Sequence, residues 1–228
     1  MERTIYFLTR TVLFPLIRLL FVGRVRGLGQ LPPAGPFIIA ANHSSYMDHF
    51  LLAALVRKHS SRKLYFLTRQ EAFERYWSRV WHLATGCVPV DRSNPEIASF
   101  RTMVDLLRRG EIVVIYPEGT RSGDGTPLPP KPGVIRLALH AGVPVLPVGI
   151  HGAHRILPKG ASWPRLNRAD VAFGPPFDAV ARVANPKSKE AVTAALQALM
   201  AEVAGLVEAG SPVPAAAAGL VLPQPSIE

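Results

Sequence analysis

Between residues 37 and 150 one arrangement recurs: a short apolar run stops at a polar cluster or a proline, and a stretch of helical length follows. Phe37–Ala41, Leu64–Leu67, Cys87–Val90, Ile112–Tyr116 and Val145–Ile150 have the length of buried strands. Between them His49–Lys58, Glu71–Leu83, Glu96–Arg109 and Gly133–His140 have the length of helices, the last closed by Gly142. Asp170–Phe173 reads as a further strand and Lys187–Val207 as an Ala-rich final helix. Alternation at these lengths predicts an α/β fold with a mostly parallel or mixed central sheet covered by helices. A chain of 228 residues with 48% hydrophobic content can bury such a core as one domain. In these sheets, sites form beyond the C-terminal ends of strands. The polar clusters that end the apolar runs are therefore where chemistry is sought.

The first cluster is Asn42-His43-Ser44-Ser45-Tyr46-Met47-Asp48. Histidine takes up a proton near neutral pH, and a neighbouring carboxylate fixes its tautomer. His43 and Asp48 thus suggest a general base and its orienting partner. On one continuous helix, residues five apart point roughly 140° away from each other. His43 must therefore lie on the turn before the helix if Asp48 is to fold back onto it. The same letters have a second reading: Ser45-x-x-Asp48 is a capping-box-like start, with His43 an ordinary loop residue.

Ile112–Tyr116 runs into Pro117-Glu118-Gly119-Thr120-Arg121-Ser122, and Cys87–Val90 runs into Asp91-Arg92. Gly119 permits a tight turn or a close approach by a ligand. Arg92 and Arg121 each offer a permanently charged, planar fork suited to phosphate. Glu118 is open to three uses: partner to an arginine, contact to a substrate hydroxyl, or brace for the turn. Three strand ends then present a base, a carboxylate and two arginines.

The net charge of +10 favours anionic partners. The basic residues are dispersed and show no signature of nucleic-acid binding, so a membrane surface or a phosphorylated substrate is the better match. Residues 1–26 form an N-terminal segment in which Arg3, Arg10 and Arg18 fall within an arc of roughly 80° on a helix whose remaining circumference is largely apolar. That pattern predicts a helix lying in a bilayer interface, kinked or divided at Pro15. The arginines interrupt it too often for a transmembrane span of about 18–20 residues, and it lacks the form of a signal peptide. Residues 27–208 read as the globular domain, and 209–228 as a Pro/Ala-rich disordered tail. The single cysteine, Cys87, excludes an intrachain disulfide and reads as core filler. The seven histidines show no metal-ligand set, His151-x-x-His154 included.

The ordered clusters Asn42-His43-Ser-Ser-Tyr-Met-Asp48, Gly86-Cys-Val-Pro-Val-Asp91-Arg92, Tyr116-Pro-Glu118-Gly119-Thr120-Arg121-Ser122 and Val143-Pro144-Val-Leu-Pro-Val resemble the four blocks of glycerolipid acyltransferases. They are most similar to bacterial 1-acylglycerol-3-phosphate acyltransferases of the PlsC type. The resemblance covers roughly residues 25–180, including Lys131-Pro-Gly133; Tyr116 stands where these proteins often carry phenylalanine. It implies that His43 deprotonates a lysophospholipid hydroxyl while Asp48 orients the imidazole. The oxygen then attacks an acyl thioester directly. By the same resemblance Arg92, Glu118, Gly119, Thr120 and Arg121 bind or shape the acceptor site. The implied donor is acyl-CoA or acyl-carrier protein, as a co-substrate, with no cofactor and no metal. The implied location is the cytoplasmic face of the cell membrane, held peripherally or monotopically. Glycerol-3-phosphate or another lysophospholipid stands as the alternative acceptor, and a non-catalytic basic membrane-binding protein as the alternative class.

Overall fold

In the computed structural model the described residues are 8–60, 62–69, 74, 82, 86–90, 95–158, 160–161 and 163–210. Arg92, nearly all of the predicted helix Glu71–Leu83, and the tail beyond Gly210 lie outside this set.

Seven strands form one sheet: β1 (Val22–Arg26), β2 (Phe37–Ala41), β3 (Leu64–Arg69), β4 (Cys87–Val90), β5 (Ile112–Ile115), β6 (Val145–His151) and β7 (Ala169–Phe173). Their spatial order is β1-β7-β6-β2-β5-β3-β4. Five neighbouring pairs are parallel and β6–β7 is antiparallel, so the sheet is mixed. The central strand β2 lies between β5 and β6, with Ile39 opposite Val114 on one side and Leu146 on the other. All five of its residues are buried, as expected of a parallel strand covered on both faces.

The alternation of β2 divides the core in two. Phe37, Ile39 and Ala41 face one side, where Leu51, Leu52 and Leu55 of α2 (Met47–His59) and Phe14, Ile17 and Phe21 of α1 (Phe14–Phe21) pack. Ile38 and Ala40 face the other side. There they meet α3 (Pro95–Arg108), α4 (Gly133–Ala141) and α6 (Lys189–Gly210). The short helix α5 (Ala179–Arg182) starts on Asp178, whose side chain caps the Ala181 N–H at 3.0 Å.

Helix α6 buries Val192, Ala195, Leu196, Leu199 and Val203, a stripe at helical spacing. It lies close to β6 because Gly149 has no side chain: a methyl there would sit 2.4 Å from Val207 N. By length and composition α6 is apolar enough to cross a bilayer. Here its apolar stripe fills the second half of the core.

The N-terminal segment combines a divided helix with an edge strand. A π-helical turn (Thr9–Leu13) leads into α1, closed by the Phe14 N–H on Thr9 O, and Pro15 stands just past the junction. The helix ends at Phe21, inside the segment 1–26. Val22–Arg26 is instead an edge strand paired with β7, and Arg24 is held there by Asp170 (Nε to Oδ2, 2.9 Å). Ala209 and Gly210, assigned above to the tail, are the last residues of α6.

Candidate active site

Beyond the end of β2 the chain turns before entering α2, and nearly every polar group of that turn has a partner. Asn42 joins β2 to β6: its Nδ2 donates to Ile150 O (2.9 Å) and its Oδ1 accepts from Ile150 N (2.8 Å). The His43 N–H donates to Glu118 Oε1 (3.0 Å), and the Ser122 N–H donates to His43 O (2.9 Å). Ser45 Oγ accepts from Met47 N (3.1 Å) and donates to Leu157 O (2.9 Å).

Asp48 lies in the first turn of α2 and is fully buried. Its Oδ2 accepts from the backbone N–H of Ser44 (2.8 Å) and of Ser45 (2.9 Å), and meets His43 Nδ1 at 2.8 Å. The offset of five residues works as expected: His43 sits on the turn, outside the helix, and Asp48 reaches back to it. The same carboxylate oxygen also takes the Ser45 N–H, the reciprocal half of a capping box, although α2 starts after Tyr46 without a side-chain cap. An ionised carboxylate only accepts, so the proton between the two belongs to Nδ1, and Nε2 carries the free lone pair.

The imidazole is held on its face as well. Tyr116 stacks on it with centroids 4.0 Å apart and planes 14° from parallel. The His43 side chain keeps 13% of its surface exposed, enough to meet an acceptor. The Tyr116 hydroxyl is buried without a partner among the described residues. Burial, then the negative charge of Asp48, pushes the phenol well above its ordinary range. His49 lies on the inner side, its ring centroid 5.7 Å from that of His43 and 5.2 Å from that of Phe66. Burial, and then the neighbouring His43, His82 and Arg121, lower its pKa to about 3, so it is neutral at physiological pH.

The loop after β5 supplies the opposite wall. Gly119 takes φ +70°, which glycine adopts at no steric cost, and its N–H closes the turn on Tyr116 O at 2.9 Å. Thr120 is exposed. Arg121 lays its guanidinium 3.4 Å from the Tyr46 ring centroid, and its Nη1 is buried without a partner among the described residues. A charged donor in that condition is suited to an anionic ligand. Lys131, not singled out from the sequence as a site residue, borders the same turn: a methyl on Gly119 would sit 3.5 Å from its Nζ.

Glu118 holds the walls of the site together. It is 4% exposed, with Oε1 taken by the His43 N–H and Oε2 by the Leu128 N–H (2.9 Å). It braces the two loops against each other. Of the sequence-derived set, His43, Asp48, Glu118, Gly119, Thr120 and Arg121 converge at the C-terminal ends of β2 and β5, and Arg92 lies outside the described residues. Asn42 and Ser122 escaped notice as supports, because their partners lie on β6 and across the site; Ser45, read from the sequence as a helix-start residue, also ties the turn to Leu157.

Comparison with known proteins gives a consistent result. The family described as Acyltransferase matches residues 23–151. A 1-acyl-sn-glycerol-3-phosphate acyltransferase of Bacillus subtilis is 29% identical over 170 residues, covering 75% of this chain and 80% of the relative. A chloroplastic 1-acyl-sn-glycerol-3-phosphate acyltransferase of Brassica napus is 31% identical over 150 residues. That match covers 64% of this chain, which spans only 42% of the longer plant protein. Among solved structures, the 1-acyl-sn-glycerophosphate acyltransferase PlsC from Thermotoga maritima superposes with a TM-score of 0.66 at 25% identity. It covers 90% of this chain and 79% of its own.

Proposed function

The chain belongs to the acyltransferase family, and on that premise we propose that it moves a fatty acyl group from a thioester to the free hydroxyl of 1-acylglycerol-3-phosphate, giving phosphatidate. One observation carries the reading: His43 Nδ1 is held 2.8 Å from a buried carboxylate that two backbone N–H groups also fix. This leaves Nε2 as the base, on a side chain that keeps 13% of its surface exposed.

In the proposed step Nε2 takes the hydroxyl proton as the acceptor oxygen attacks the thioester carbonyl. A C–O bond forms, the C–S bond breaks, and the proton leaves with the thiolate. Asp48 stabilises the imidazolium that exists in between. The turn costs little to organise during the reaction, because Asn42, Glu118, Ser122 and Leu157 already fix its backbone and side chains.

Arg121 and Arg92 are assigned to the acceptor phosphate, and Lys131 borders the Gly119 turn; Gly119 and Thr120 shape the opening. The donor is acyl-CoA or acyl-carrier protein, both anionic, which suits a chain of net charge +10. No cofactor or metal enters the step. The N-terminal helix holds the protein peripherally on the cytoplasmic face of the membrane, against anionic lipid. The test is product identification by mass spectrometry with lysophosphatidate, glycerol-3-phosphate and a second lysophospholipid offered side by side. Phosphatidate formation supports the assignment. Acylation of another acceptor with none on lysophosphatidate moves the substrate, and no acylation at all removes the activity.

A further inference from the structure

Two surface elements carry apolar side chains that the core does not use. On the N-terminal helix Leu8, Val12, Leu16 and Leu19 recur on the face away from the core, each between 46% and 66% exposed. On the loop between β6 and β7, Trp163 is 83% and Leu166 81% exposed, the highest of the large apolar residues described. Tryptophan is the side chain that seeks the boundary between hydrocarbon and headgroup.

This loop is fastened at both ends. Near its start, Leu157 O accepts from Ser45 Oγ of the catalytic turn (2.9 Å). Near its end, Arg168 Nη2 donates to Leu19 O of the apolar helix (3.0 Å). Between them the Arg165 N–H closes on Ile156 O (2.7 Å) and Asn167 Nδ2 reaches Arg155 O (3.2 Å). From His151 to Ala169 the chain holds four basic residues, Arg155, Lys159, Arg165 and Arg168, and no carboxylate.

We infer that residues 163–168 of the β6–β7 loop are a second bilayer contact, inserting Trp163 and Leu166 into an anionic leaflet with Arg155, Arg165 and Arg168 at its phosphates. The inference rests on the lysophospholipid reading above and adds the orientation that such a reaction needs. One amphipathic helix leaves a protein free to roll on a membrane. Two contacts fix it, and this one is bonded to the turn that carries His43. The acceptor can then keep its acyl chain among the lipids while its hydroxyl meets the base. The basic flank distinguishes a lipid surface from a second copy of this chain, which would itself bring positive charge to the interface.

The test places an environment-sensitive fluorophore at Leu166→Cys; the native Cys87 is buried and resists labelling. The control is Gln197→Cys, exposed on α6 at the opposite face of the sheet. Vesicles of phosphatidylglycerol and phosphatidylethanolamine are added, with and without doxyl-labelled lipid. The label at 166 should shift to the blue and be quenched by the doxyl groups, and the label at 197 should do neither. Replacing Trp163 and Leu166 together by alanine should lower vesicle partitioning about tenfold. An unquenched label at 166 on vesicle-bound protein overturns the inference. So does a blue shift that rises with protein concentration in the absence of lipid, which marks self-association. Quenching needs no acyl transfer, so failure here is distinguishable from failure of the acceptor assignment.

Discussion

Acid should destabilise this protein through His49. Its ring lies against Phe66, with Nδ1 enclosed and no partner among the described residues. Burial and neighbouring positive charge hold its pKa at about 3 in the folded protein, against 6.5 for an ordinary histidine. The unfolded chain therefore binds this proton from about pH 6.5 downward, while the native state refuses it until near pH 3. For a histidine with a depressed folded pKa, stability is complete above 6.5 and lost as pH falls. Between pH 7.5 and 5.0 the gap spans about 1.5 pH units, or about 2 kcal/mol. This is an upper bound, because His49 is only half-buried. The measurement is urea unfolding followed by circular dichroism at both pH values, for the wild type and for His49→Leu. The leucine variant should lose up to about 2 kcal/mol less on acidification, whatever its stability at pH 7.5. Equal losses in the two proteins would refute the argument, since other titrating groups are common to both.

Four further outcomes are expected. Asp48→Asn should lower transfer by about 10³–10⁴-fold, because an amide facing Nδ1 favours the wrong tautomer; steady-state kinetics would show it. Glu118→Gln turns an amide NH₂ toward one of two backbone donors and should cost about 1–3 kcal/mol in urea unfolding. Arg121→Ala should lower kcat/KM about 10–100-fold for a phosphate-bearing acceptor, with KM carrying most of the loss. Tyr116→Phe should unfold less readily than the wild type above pH 10. The buried phenol resists ionisation, so its stability contribution is present below the unfolded pKa and lost as pH rises.

The strands that hold the site were legible because they are buried on both faces and so read as unbroken apolar runs. β2, β5 and β6 are the cases, and the His43–Asp48 geometry followed once β2 was placed. β1 escaped because a short edge strand with Gly23, Arg24 and Arg26 carries no such run; its register depends on Asp170, 146 residues away. Glu118 shows the other limit. Its motif marks it as a site residue, but only the fold reveals that both oxygens are taken by backbone N–H groups of two loops. Trp163 and Leu166 gave no signal at all in the sequence, since two apolar residues in a loop are ordinary until their exposure and anchoring are seen.

The central claim is that His43 Nε2 is the base. The direct measurement is phosphatidate production by purified wild type and His43→Ala from lysophosphatidate and an acyl thioester, with thermal unfolding of both proteins in parallel. General-base catalysis is worth about 10²–10⁴-fold. The alanine variant should fall by at least that much while its unfolding temperature stays close to wild type, because the 43–48 turn keeps its backbone bonds. Transfer persisting at the wild-type rate in a folded His43→Ala protein would contradict the account.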